Sequence, residues 1–212
     1  MAELLIFDLD GTLVDSRLDL INAVNYMRQT MNLEPLDGER VVRMIGNGIN
    51  SLIRRAIADA DVDFETALQR MKRFYSDHLI DSTRLYPGVS STLAELKQHG
   101  IKLAVVTNKA SDAARTILAG LGVDGYFSDI IGGDDQYPLK PAPDALLALQ
   151  KKYNASAAGC WMIGDHYTDL EAGRLAGFRR IFLTCGMGVT GEETPDYSVD
   201  TFNAIPDVIR GF

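Results

Sequence analysis

Leu4-Leu5-Ile6-Phe7-Asp8-Leu9-Asp10-Gly11-Thr12 is an apolar run that delivers two aspartates, one residue apart, into a glycine turn. A short apolar run bounded by a turn signal predicts a buried strand. Strand side chains alternate with period two, so Asp8 and Asp10 point the same way. Two carboxylates crowded at a strand end repel each other. Either a bound cation or a proton on one of them must offset that repulsion. The pair therefore supplies one ionised oxygen nucleophile, one potential proton donor and room for a hard metal ion.

Outward from this segment, further short apolar runs occupy residues 103–106, 130–131, 161–163 and 181–183. They predict buried parallel strands. Helical patterns lie between them: Ala114, Ile117, Leu118 and Leu121 share one helix face, and Gly122 offers a stop. Leu146, Leu149 and Tyr153 form another such face after Pro143. Strand alternating with helix from about residue 83 predicts a doubly wound α/β sheet. Residues 15–82 differ, with no convincing strand and three helical stripes: Leu20, Val24, Met27 and Met31; Ile49, Leu52, Ile53, Ala56 and Ile57; and Phe64, Leu68, Met71, Tyr75 and Leu79. The expected organisation is an α/β core of residues 1–14 and 83–212 with a helical unit of residues 15–82 inserted after the first strand. Ligands of open α/β sheets bind outside the carboxyl ends of the strands. The insertion starts at that end, so it can close over the site as a lid, with hinges expected near residues 14–16 and 81–84.

The remaining candidates for chemistry also follow predicted strands. Thr107 and Asn108 precede a helix expected to open at Ser111 and can donate to phosphate oxygens, helped by the helix N-terminus. The same pair also suits an ordinary turn into a helix. Lys140, in Leu139-Lys140-Pro141-Ala142-Pro143, is an ammonium on stiffened backbone that can neutralise both a phosphate and Asp8. Asp165 leaves the predicted strand at 161–163 as Asp8 leaves the first, so both can converge on one Mg²⁺. Asp169 can orient Asp165 or a bound water, and it also suits the start of a helix. Gly46 and Asn47, in Arg43-Met44-Ile45-Gly46-Asn47-Gly48, are candidate substrate contacts from the inserted unit. Arg54 and Arg55 are expected on the solvated face of its helix. Histidines 78, 99 and 166 show no metal-ligand spacing.

Composition bounds the function. The chain has 212 residues and is 46% hydrophobic, ample for a core. No apolar stretch approaches the ~20 residues of a membrane helix. Met1-Ala2-Glu3 shows no signal-peptide pattern, and Cys160 and Cys185 make no disulfide framework, so a reducing, cytoplasmic location is expected. A net charge of −8 disfavours nucleic acid as a partner. Any phosphate site must therefore be made locally positive.

The ordered set Asp8 and Asp10, then Thr107, then Lys140, then Asp165 and Asp169 resembles the motif pattern of the haloacid dehalogenase superfamily over essentially the whole chain. The helical insertion resembles the first type of cap in that superfamily. The resemblance implies Asp8 as nucleophile and metal ligand. It implies that Asp10 gives a backbone carbonyl to the metal and serves as acid, then base. Thr107, Asn108 and Lys140 would hold the phosphoryl group. Asp165 would bind Mg²⁺, supported by Asp169. The segments Ile45-Gly46-Asn47-Gly48, Gly132-Gly133-Asp134-Asp135 and Leu183-Thr184-Cys185-Gly186 are similar to bacterial phosphoglycolate phosphatases, which implies 2-phosphoglycolate as the leading substrate. Asp10 argues against dehalogenation. The absence of any lysine but Lys72 from residues 15–82 argues against phosphonate cleavage. Gly164 weakens the phosphomutase reading, where relatives commonly have an acid. A sugar phosphatase, a phosphomutase and a non-catalytic phosphate-binding protein are the alternatives, and either a monomer or a homodimer fits.

Overall fold

A computed structural model describes residues 2–210. From the N-terminus, β1 (Leu4–Phe7) and the two-residue β2 (Val14–Asp15) lead into four helices: α1 (Arg17–Thr30), α2 (Gly38–Val42), α3 (Gly48–Ala56) and α4 (Phe64–Asp77). The chain returns through β3 (Arg84–Leu85), followed by α5 (Val89–Gln98), β4 (Lys102–Val106), α6 (Ser111–Gly120) and β5 (Asp129–Ile131). Then come α7 (Asp144–Tyr153), β6 (Cys160–Gly164), α8 (Tyr167–Ala176), β7 (Arg179–Leu183), β8 (Tyr197–Val199) and α9 (Ile205–Arg210).

Six strands form one parallel sheet in the order β5-β4-β1-β6-β7-β8. In register, Phe7 lies beside Val105 on one side and Ile163 on the other. All four β1 residues are buried, as expected of a central strand covered on both faces. Alternation sorts the side chains into two layers. Leu4, Ile6, Ala104, Val106, Cys160 and Met162 meet Ala145, Leu146 and Leu149 of α7 and Ala172 of α8. Leu5, Phe7, Leu103, Val105, Trp161 and Ile163 meet Leu93 of α5, Ile117 and Leu118 of α6, and Ile205 and Ile209 of α9. The chain first builds from β1 toward β4 and β5, then crosses to β6. The strand order thus reverses at β1, and the crevice at its carboxyl end is the place where such sheets bind ligands.

The three helical stripes read between residues 15 and 82 are α1, α3 and α4. They bury Leu20, Val24 and Met27, then Leu52 and Ile53, then Met71 and Tyr75. Short α2 was not read from the pattern. Its marker is Asp37, whose carboxylate accepts from the Glu39 and Arg40 N–H groups as an N-cap. Inside this unit Arg28 is buried and donates to the Glu34 and Ala56 carbonyls and to Asp59. It thereby satisfies a carbonyl at the end of α3 that the helix itself leaves unpaired.

The two segments expected as hinges are hydrogen-bonded to one another. β2 and β3 pair antiparallel, Val14 with Leu85 and Asp15 with Arg84. Asp19, buried on α1, accepts from the Ser82 and Thr83 N–H groups and from the Thr83 hydroxyl. β8 also escaped the pattern: it has three residues, of which only Val199 is buried. Cys160 is buried in the sheet, whereas Cys185 is exposed. Among the described residues no helix is long and apolar enough to cross a membrane.

Candidate active site

The carboxyl ends of β1, β4 and β6 bring the sequence candidates together. The Asp8 N–H still joins the sheet, donating to Ile163 O at 3.0 Å, and its carboxylate stands just beyond. Lys140 Nζ donates to Asp8 Oδ1 at 2.7 Å, Asp169 Oδ1 at 2.6 Å and Val106 O at 2.6 Å. All three ammonium hydrogens are therefore engaged. Burial alone would push Lys140 toward the neutral amine, but the Asp169 and Asp8 carboxylates outweigh it and its pKa is raised. Burial pushes the Asp8 carboxyl up despite Lys140 beside it, and Asp169 and Asp10 add to the effect.

Asp165 is locked on both oxygens. Its Oδ1 accepts from the Thr12 hydroxyl at 2.9 Å, and its Oδ2 accepts from the Met187 and Gly188 N–H groups at 2.9 and 2.8 Å. Burial, reinforced by the Asp8 and Asp169 charges, raises its pKa to about 7. Gly11 makes this approach possible: its φ is +89°, and a Cβ there would lie 2.1 Å from Asp165 Oδ2. Asp169 accepts from the His166 N–H at 3.1 Å while holding Lys140, so it braces the β6–α8 turn as well as the ammonium. His166 caps α8, and burial lowers its pKa to about 4, which keeps the ring neutral at neutral pH.

Asp8, Asp165 and Asp169 each offer one oxygen, and these oxygens lie within 4.8 Å of one another. Hard carboxylate oxygens around a small gap suit Mg²⁺. Charge balance points the same way. The carboxylates of Asp8, Asp10, Asp165 and Asp169 face two ammoniums, Lys140 and Lys109, so full ionisation leaves two negative charges. A divalent cation or protons must supply the difference.

Asp10 turns away from this trio. Its carboxylate accepts from the Ser16 hydroxyl at 2.5 Å and from Lys109 Nζ at 3.0 and 2.8 Å. Lys109 also donates to the Tyr75 hydroxyl of α4 at 2.7 Å. Thr107 is buried; its hydroxyl accepts from the Lys109 N–H at 3.3 Å and keeps its own proton for a ligand. The Asn108 amide has partners within the protein. It pins Lys140 in place, accepting from the Lys140 N–H at 2.8 Å and donating to its carbonyl at 3.0 Å, and it also donates to Gly46 O at 3.0 Å.

These groups border a cavity of about 620 Å³, enclosed on the far side by α3, α4 and residues 45–47. That volume is ordinary for a small-molecule site. Gly46 and Asn47 lie in its wall, but Asn47 spends both ends of its amide on other partners. It donates to the Tyr167 hydroxyl at 2.7 Å and accepts from Arg55 at 2.9 Å. Arg55 is exposed, as expected of the solvated face, and also braces this loop, bonding Met44 O at 3.0 Å. Arg43 pairs with Glu39 on the surface. Sequence reasoning missed Lys109, Tyr75, Ser16 and the N–H pair at Met187 and Gly188. Lys109 adjoins the Thr107-Asn108 pair, and that adjacency was its available signal.

Comparison with known proteins agrees with this geometry. Phosphoglycolate phosphatase of Chromobacterium violaceum is 36% identical over 210 residues, covering 96% of this chain and 95% of the relative. That of Colwellia psychrerythraea is 37% identical over 215 residues, with 96% and 95% covered. A crystal structure of a predicted phosphoglycolate phosphatase from Haemophilus somnus 129PT aligns with a TM-score of 0.94 at 32% identity, covering 98% of this chain and 97% of that one. The description of haloacid dehalogenase-like hydrolases matches residues 5–183, a span that holds every acidic and basic group gathered at the strand ends. By that match and by these full-length likenesses, the chain belongs to the haloacid dehalogenase-like hydrolase family.

Proposed function

We propose that this protein is a phosphatase that hydrolyses a small organic phosphomonoester, with 2-phosphoglycolate as the leading substrate. The reading is carried by the Asp8 carboxylate, held at Oδ1 by Lys140 and bordering a cavity that Asp10 and Thr107 also line. With Oδ1 committed, Oδ2 attacks phosphorus and the leaving alkoxide departs. An aspartyl-phosphate splits one difficult hydrolysis into two easier steps. The Thr107 hydroxyl donates to the phosphoryl oxygens, and the positive charge of Lys140, held against Asp8, offsets the charge spread over them in the transition state. Asp10 protonates the leaving oxygen and later takes a proton from the water that cleaves the acyl phosphate.

Mg²⁺ is the proposed cofactor, held by Asp8, Asp165 and the Asp10 carbonyl, with Asp169 orienting. When bound it would neutralise negative charge on the carboxylates and on the phosphoryl group. Residues 15–82 would act as a lid that excludes water during transfer and admits it for hydrolysis. The substrate preference is supported by the names of the full-length relatives.

The test is phosphate release from a panel of monoesters, with EDTA and after restoring Mg²⁺. We expect 2-phosphoglycolate to lead the panel, EDTA to stop turnover and Asp8→Asn to abolish it. Full turnover by Asp8→Asn would defeat the mechanism. Preference for a hexose phosphate or a nucleotide would defeat only the substrate assignment.

A further inference from the structure

Lys109 has no part in the phosphoryl-transfer scheme above, yet it is a cation sealed inside the same cavity. Its side chain is 6% exposed and lies 2.8 Å from Asp10 Oδ2. Burial disfavours its charge, but Asp10 and Tyr75 more than offset that, so it is held as an ammonium. Tyr75 reaches it across the cavity from α4. Burial raises the Tyr75 pKa to about 12, so the phenol keeps its hydrogen. Its oxygen accepts from Lys109, which leaves that hydrogen to donate to a second acceptor. The free hydrogen of the Tyr75 hydroxyl, beside the charge of Lys109, whose own hydrogens go to Asp10 and Tyr75, forms a receptor for an anionic oxygen. The other lysines do not compete: Lys140 lies outside the cavity lining, and Lys72, which does line it, is exposed.

Position sets the kind of anion. A proton donor must lie within about 2.6–3.2 Å of the leaving oxygen, and Lys109 stands one hydrogen bond beyond Asp10. In a leaving group with a carboxylate on its ester carbon, the carboxylate oxygens lie on the order of 3 Å from the leaving oxygen, by ordinary bond lengths. That span brings them within reach of the ammonium and of Tyr75. We infer that Lys109 and Tyr75 form the subsite for a carboxylate carried on the carbon next to the ester oxygen of the substrate. This rests on the proposed phosphatase reading and identifies the residues that would give it selectivity.

The test compares kcat/KM for 2-phosphoglycolate and ethyl phosphate, which differ by that carboxylate, in wild type, Lys109→Met and Tyr75→Phe with Mg²⁺ present. Wild type is expected to prefer the carboxylate substrate. Lys109→Met should cut that preference by about 10- to 100-fold, and Tyr75→Phe, which keeps the ring, by about 3- to 10-fold. If Lys109→Met slows both substrates by one factor, it merely holds Asp10 and the subsite is overturned. A preference unchanged in Tyr75→Phe also overturns it, and that variant carries the test should Lys109→Met fail to fold. A wild type without the preference would instead overturn the substrate assignment itself.

Discussion

Lys140 and Asp165 occupy opposite electrostatic situations a few ångströms from Asp8. Lys140 is saturated with acceptors, so Lys140→Met would strand the Asp8 and Asp169 carboxylates in a buried setting. We expect kcat to fall by at least about 10²-fold, the scale on which one transition-state donor acts, with phosphate release as the measurement. Asp165 is the reverse case, a carboxyl whose charge the folded protein disfavours. Its folded pKa of about 7 exceeds its ordinary 3.8. The stability this difference contributes is therefore complete below about pH 4 and lost as pH rises toward 7. Mg²⁺ would stand in for the missing proton, so the rise in Tm on adding Mg²⁺ should be small at pH 5.5 and large at pH 8. Asp165→Asn can still accept from Met187 and Gly188 N–H and can donate to Thr12. It should raise the Tm of the metal-free protein while removing the response to Mg²⁺. A variant that still responds would show that Asp165 is no ligand.

At the scale of elements, the strands carried most of what could be read beforehand. The run at residues 4–7 and its aspartates were legible because a buried parallel strand must be apolar throughout, so a charged residue at its end stands out. Thr107 and Asp165 stood out in the same way, directly after β4 and β6, whereas Lys140 and Asp169 lie away from strand ends and were read from their neighbours in sequence. Lys109 stayed hidden because its partners Asp10 and Tyr75 lie 99 and 34 residues away and no local rule joins them. The N–H pair that holds Asp165 was invisible for another reason: backbone donors leave no mark on composition. The partners of the Asn108 side chain, Lys140 and Gly46, were likewise not legible, because they lie 32 and 62 residues away. Buried Arg28 also had no local signal, since it joins the ends of separate helices. Arg28→Ala should lower stability by about 2–3 kcal/mol, read by urea unfolding, because it leaves carbonyls unpaired while Asp59 remains partly solvated.

Across the whole molecule, the helical insertion touches the sheet's active edge through Tyr75 with Lys109, Gly46 with Asn108 and Asn47 with Tyr167. If it works as a lid, these bonds must break in each cycle. Hydrogen exchange in residues 44–48 and 72–79 should then slow when a phosphate analogue and Mg²⁺ are added, and equal exchange in both conditions would refute the motion. The pairing of β2 with β3 shapes that motion, since the outgoing and returning chains form one ribbon. A ribbon bends more easily than it shears, so opening should resemble a book cover turning on its spine.

That ribbon also brings the two ends of the insertion to neighbouring-strand distance, roughly 5 Å. A segment grafted there must begin and finish side by side, and it must also supply partners for Lys109, Asn108 and Tyr167 on the sheet beneath. A foreign bundle that met those partners would alter selectivity as a cassette, with Asp8, Lys140 and Asp165 inherited from the sheet unchanged.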